Sequence, residues 1–486
     1  MNRITICLLG LLVSGQVLRA GGSVTNVVTY TLVDGSYFVD DCSICERPTI
    51  QQPLRGTFDL VLLQDTPPYT RYAIENIHFI AGPRGSSLER SLTGSGVYIR
   101  FEEFALLQDM NLALEVKDSY TNRPAYFTNE TRATQQPFPL IQATLQQTNG
   151  TLLQTFTLEI FAAPVREIWF STSKSFISTN PASSTKQITA GDLLSTTGRV
   201  VKRNIDLVGK LGVMPIVPDL GLDALDVIGG SEILFSIPVD VFSETLGLLQ
   251  HGDLLSNRGA IVKRNQELLA AFRPSSSADA GLDAVQMMPD KQILFSIRSN
   301  VVVDATLTLS RGDILSDAGT IFMTHQQLLS KFQPTVTNRD FGLDALQVLP
   351  SGEIWFSVEE GFTDSRIGPV QPGDLLSNLG YRVFSNRSLL EAFSPADPAQ
   401  DYGLDALFVI TDTTPARPAP LITRQTVSGQ TLHIEWDGQG SVFQLETAPS
   451  LSDLWSPCSQ IIPDSFFDTP CDLSPGNSAF YRLRQW

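Results

Sequence analysis

Four copies of Asp-x-Gly-Leu-Asp-Ala, at 219–224, 279–284, 340–345 and 401–406, set two carboxylates four residues apart around a glycine. Glycine adopts positive φ without a steric penalty, so each copy can close into a tight, oxygen-rich loop of the kind a hard cation such as calcium takes. Eight aspartates qualify as ligands: Asp219, Asp223, Asp279, Asp283, Asp340, Asp344, Asp401 and Asp405. Two other uses compete. The second aspartate of each pair could line an axis, giving a four-membered acidic ring for one shared ion. Alternatively each aspartate caps a turn or bonds the next unit's backbone, because a scaffold written four times needs the same joint four times. The third acidic position of an EF-hand loop is missing.

Other chemistry is sparse. His78, His251, His325 and His433 stand alone, and none has metalloprotease spacing. Gly94-Ser95-Gly96 lacks the spacing and strand-to-helix setting of a serine nucleophile elbow. Gly-x-Gly-x-x-Gly and P-loop motifs are absent. Glu102 and Glu103 could serve a glycosidase, but adjacent strand residues face opposite ways, so ordinary surface is the better reading.

The elements that hold the aspartates repeat with them. Glu/Gln-Ile-Leu/Trp-Phe-Ser occurs at 167–171, 232–236, 292–296 and 353–357, and Gly-Asp-Leu/Ile-Leu-Ser at 191–195, 252–256, 312–316 and 373–377. The array opens on the first of these and closes on Asp-Ala, which predicts a ring whose last strand completes the first unit. Each unit reads as four strands and a short helix, with Asn386, Asn204 and Asn265 at the capping place and Thr324-His325 in the remaining copy. That is a propeller blade with a helical appendix.

Asp223-Ala224, Asp283-Ala284, Asp344-Ala345 and Asp405-Ala406, with Phe170, Phe235, Phe295 and Phe356, resemble the inner and second strands of a hemopexin-type four-bladed propeller. The resemblance covers 164–412 and implies a shape, not an activity. It departs where Ser follows each Phe. The segments 172–190, 237–251, 297–311 and 358–372 differ most between units, and a protein or glycan ligand is expected there.

The whole chain reads as all-β. Residues 1–20 look like a signal peptide, 21–163 a β-sandwich or jelly roll, 164–412 the four-repeat propeller, 413–420 a proline-rich linker and 421–486 a small β-sandwich. Trp436 and the closing Tyr481-Arg482-Leu483 resemble a fibronectin type III-like module of secreted bacterial proteins. Export favours disulfides. Local pairing of Cys42 with Cys45 and of Cys458 with Cys471 is expected, over a redox pair or a zinc site. A net charge of −17 disfavours nucleic acid, and no stretch reaches transmembrane length. The chain is therefore expected to be secreted, extracellular or periplasmic, and a non-catalytic binding or structural protein. A secreted polysaccharide-acting hydrolase or lyase is the alternative.

Overall fold

The computed structural model describes residues 27–486 except 34, 43, 45–46, 84–85, 87, 102–106, 130–131, 135, 182–185, 217–218, 413–417, 452–454 and 471–479. The signal segment, Glu102, Glu103, Cys45, Cys471 and most of the linker thus lie outside the described residues.

The amino-terminal strands do not form two separate sheets. Their pairing runs through Val27–Leu32, Ile50–Thr66, Tyr69–Ala81, Arg90–Phe101, Leu107–Lys117, Asn122–Thr128, Ile141–Gln147 and Thr155–Phe170. The path then closes, because Val27–Leu32 also pairs with Thr155–Phe170. The sheet closes into a barrel-like wrap, and the expected division into a two-sheet sandwich is not confirmed. Alternating residues such as Leu112, Leu114 and Val116 point inward, as the two-residue strand period requires. Tyr30, Phe38, Phe58, Phe127 and Phe156 fill the interior.

Thr155–Phe170 continues through the expected boundary at 163/164. Its first part pairs inside the barrel; after a register shift between Val165 and Glu167 it pairs with Leu407–Thr411 and Leu193–Ser195. The first unit therefore consists of Leu407–Thr411, the end of Thr155–Phe170, Leu193–Ser195 and Arg199–Lys202. Units two, three and four are separate four-stranded antiparallel sheets beginning at Ala224–Ile228, Ala284–Met287 and Ala345–Val348. Their first strands, with Leu407–Thr411, touch one another in cyclic order.

The second strands show why Leu/Trp-Phe recurs. Neighbouring residues face opposite sides of a strand. Trp169 packs with Phe235 of unit two, Leu234 with Phe295 of unit three, Leu294 with Phe356 of unit four, and Trp355 with Phe170 of unit one. Each unit is thus glued to both neighbours.

Two further expectations are corrected. The hemopexin-type propeller does not hold, since unit one is the tail of a barrel strand rather than a blade of its own, and every unit carries an extra two-stranded hairpin. The helix asparagines are not N-caps. Arg203, Arg264, Thr324 and Ser385 occupy that position, and Asn204, Asn265 and Asn386 are the first helical residues.

At the carboxy terminus two three-stranded sheets share a core of Leu432, Ile434, Trp436, Phe443 and Leu445. Three and three strands among the described residues fall short of the seven-strand pattern of immunoglobulin-like modules, so the fibronectin type III resemblance is also set aside. Cys458 is a free thiol, and the expected Cys458–Cys471 bridge is not formed. Cys42 is disulfide-bonded; Cys45, its expected partner, lies outside the described residues. Among the described residues no helix is long and apolar enough to cross a membrane.

Candidate functional site at the axis and rim of the cyclic array

The two aspartates of each pair do different work. The first caps its own turn: Asp219, Asp279, Asp340 and Asp401 accept the N–H of Gly221, Gly281, Gly342 and Gly403 at 2.8–3.0 Å. All four glycines have φ between +73° and +80°, the left-handed turn for which glycine is suited. Asp340 and Asp401 also accept from Gly312 and Gly373. These four act as joints within the array.

Asparagine fixes the same segment from the other side. The amide of Asn265 accepts from Ala280 N–H at 3.0 Å and donates to the Gly281 carbonyl at 3.1 Å. Asn204 and Asn386 do the same at Leu220–Gly221 and Tyr402–Gly403. Serine after each phenylalanine reaches forward. Ser171, Ser236, Ser296 and Ser357 donate to the carbonyls of Leu222, Leu282, Leu343 and Leu404, each in the next unit. The departure from the hemopexin pattern is therefore the joint between units.

With the turns so held, the second aspartates converge at the axis. Asp283 is 1% exposed and Asp223 is 3% exposed, and neither oxygen of Asp283 accepts a hydrogen bond among the described residues. Burial pushes Asp223 up to about 6 and Asp405 up to about 8. Burial, then the charges of Asp223 and Glu359, hold Asp283 well above the usual carboxylate range. Burial and the charges of Asp405, Asp283 and Asp223 do the same to Asp344. Carboxylates enclosed together resist ionising together.

Arg298, absent from the sequence-derived candidates as an axial group, supplies the counter-charge. Its guanidinium lies 3.7 Å from Asp223 and 3.8 Å from Asp283 while remaining 42% exposed. Around it Arg311 pairs with Glu359 and Glu360, each at 2.5 Å. His251 Nδ1 lies 2.8 Å from Asp240, with Nε2 3.5 Å from Asp279. Among the described residues no group of three or more His, Cys, Asp or Glu is arranged to hold a metal ion.

The variable segments 172–190, 237–251, 297–311 and 358–372 each fold back as a hairpin: Phe176–Ile177 with Gln187–Ile188, Val241–Ser243 with Gly247–Leu249, Val301–Val302 with Thr308–Leu309, and Phe362–Asp364 with Gly368–Val370. One backbone bond to the preceding unit is common to all four. The carbonyls of Ile177, Phe242, Val302 and Thr363 accept from Ala396, Met214, Ser275 and Thr335. Backbone placement is common to all four hairpins; side chains are not.

No family model matches the chain, and no curated protein matches it. Similar solved structures include two extracellular domains of hybrid two component systems from B. thetaiotaomicron. One is 8% identical, with 92% of this chain and 82% of that chain covered and a TM-score of 0.19. The other is 8% identical, with 87% and 71% covered and a TM-score of 0.21. At such TM-scores no functional argument rests on them.

Proposed function

We propose that the chain is an exported, non-catalytic binding protein whose cyclic array presents a rim of hairpins to a protein ligand. One observation carries this reading. Phe242 and Leu248 lie opposite each other across the second hairpin, 59% and 52% exposed, although their backbone is anchored as in every other unit. The residues equivalent to Phe242 are Ile177, Val302 and Thr363. Residues shared by all units maintain the ring, so a ligand must be recognised by what differs. Large exposed apolar side chains on a rigid support are the usual centre of a protein contact, and Asp240 and Glu244 beside them suit basic groups at its border. The apolar pair favours protein over glycan.

The test is a photo-crosslinking residue placed at Phe242, and at Thr363 for comparison, in the mature chain exposed to its own extracytoplasmic milieu. A discrete protein adduct from position 242, lost on Leu248→Ser, supports the reading. No adduct, or the same adducts from both hairpins, overturns it.

The axial carboxylates favour a second reading, a polysaccharide-acting hydrolase or lyase. Glycosidases need two carboxyl groups with separated pKa values, and Asp223 at about 6 and Asp405 at about 8 are so separated. Asp223 and Asp283 are sealed beneath Arg298, however, so a sugar chain has no approach to them. Polysaccharide turnover by the parent chain, abolished in a folded Asp405→Asn variant, would establish it.

A further inference from the structure

We propose that the cleft between the barrel and unit four binds a small organic anion, bearing a carboxylate or a phosphate, through Lys117, Arg366 and His78. The cleft has a volume of about 470 Å³ and is walled by barrel strands on one side and by the 366–367 and 379–381 turns on the other. That is room for a small molecule, more than a single ion needs.

Its charges do not cancel. Glu89 is paired with Lys331 at 2.5 Å. Asp118 is held in its own turn, accepting the N–H of Tyr120 and of Thr121 and the Thr121 hydroxyl; burial opposes its charge, but these bonds hold its pKa below the usual carboxylate range, so it stays anionic with its oxygens turned to the backbone. Arg366 donates to the carbonyls of Lys331 and Gly380 and forms no ion pair among the described residues. Lys117 likewise forms none. Lys117, Lys331 and Arg366 against Glu89 and Asp118 leave the lining with a net positive charge on a chain of net charge −17, and such a site attracts and holds an oxyanion.

His78 adds a neutral donor. Its ring stacks on Tyr381, centroids 4.4 Å apart and planes within 12°, so its orientation is set. Burial, aided by Arg366 and opposed by Asp59, keeps its pKa down. An uncharged imidazole has one N–H to donate, and among the described residues neither ring nitrogen is hydrogen-bonded. Phe79, Ile367 and Leu379 contribute apolar wall, which suits an organic body behind the anionic group.

The experiment is calorimetric titration of the mature chain at low ionic strength with glucose 6-phosphate, glucuronate, inorganic phosphate and neutral glucose. Binding of either charged sugar but not of glucose is expected, and the preferred one identifies phosphate or carboxylate as the group read. Lys117→Gln should weaken that binding about tenfold or more, the scale of a lost charged hydrogen bond, with an unchanged melting temperature because Lys117 is exposed. Ser119→Glu, at the exposed lip, should abolish it. No binding of any charged probe, equal binding of glucose, or indifference to both variants overturns the proposal.

Discussion

The hydroxyl of Ser357 donates to the carbonyl of Leu404 at 2.6 Å, tying unit four to the segment that leads into the strand completing unit one. Both groups are buried. Ser357→Ala should cost about 1–3 kcal/mol, because an unsatisfied carbonyl is left in the interior. Near 2–4 °C per kcal/mol for a domain of this size, thermal melts would show a loss of roughly 2–12 °C. Ser236→Ala, at an ordinary joint between units two and three, should fall by a similar amount. If unit four were an open end, Ser357→Ala would be silent while Ser236→Ala was not.

Stability should decline as pH rises across neutrality. Asp226 and Asp223 titrate at about 6 and Asp405 at about 8, raised chiefly by burial, against about 3.9 in an unfolded chain. Between about pH 4 and pH 8 the folded state therefore holds protons that the unfolded chain has released. Stability then falls with rising pH. Asp226 accepts the N–H of Met287 and of Val227. Gln286 and Gln347 stand at the same place in the next two units and bridge to Val348 and Val409. Asp226→Gln should keep a bridge while flattening the pH dependence of the melting temperature; an unchanged slope would remove Asp226 from the explanation.

Arg298 offsets the axial carboxylates. Without it their pKa values rise further, so the effect must grow with pH. Arg298→Gln should melt close to the parent at pH 4.5 and clearly below it at pH 8. A pH-independent loss would mean that the side chain acts through packing.

Glu353 is fully buried, and Trp355 Nε1, Ser377 Oγ and Tyr381 OH all donate to its Oε1, while Oε2 has no partner. Burial raises its pKa, so its charge is costly above that pKa and absent below it. Gln292 occupies the corresponding position in unit three. Glu353→Gln should raise the melting temperature at pH 8 and leave it unchanged at pH 4. A fall at pH 8 would show that the three donors require a carboxylate.

Repetition made the four units and their recurring strands legible, but not a propeller. The out-of-phase ends of the array correspond to the pairing of Trp169 with Phe408, and period-two alternation of Leu/Trp-Phe-Ser places one residue toward each neighbouring unit. Arg298 was not legible, because it sits in a segment that differs between units and meets Asp223 across 75 positions only through the cyclic arrangement. Nor was the barrel seam: Thr57 and Tyr381, hydrogen-bonded at 2.8 Å, have no sequence pattern in common. Asn386 misled because its type suits an N-cap, whereas its amide is committed to Tyr402 and Gly403.

The most direct measurement compares Phe242→Ser with Ser357→Ala for both melting temperature and crosslinking of the rim ligand. A rim that recognises and a ring that supports predict opposite outcomes. Phe242→Ser should melt like the parent and lose the adduct, while Ser357→Ala should melt lower and, below its transition, retain it. An adduct that survives Phe242→Ser, or disappears with Ser357→Ala in the folded state, would contradict that division of labour.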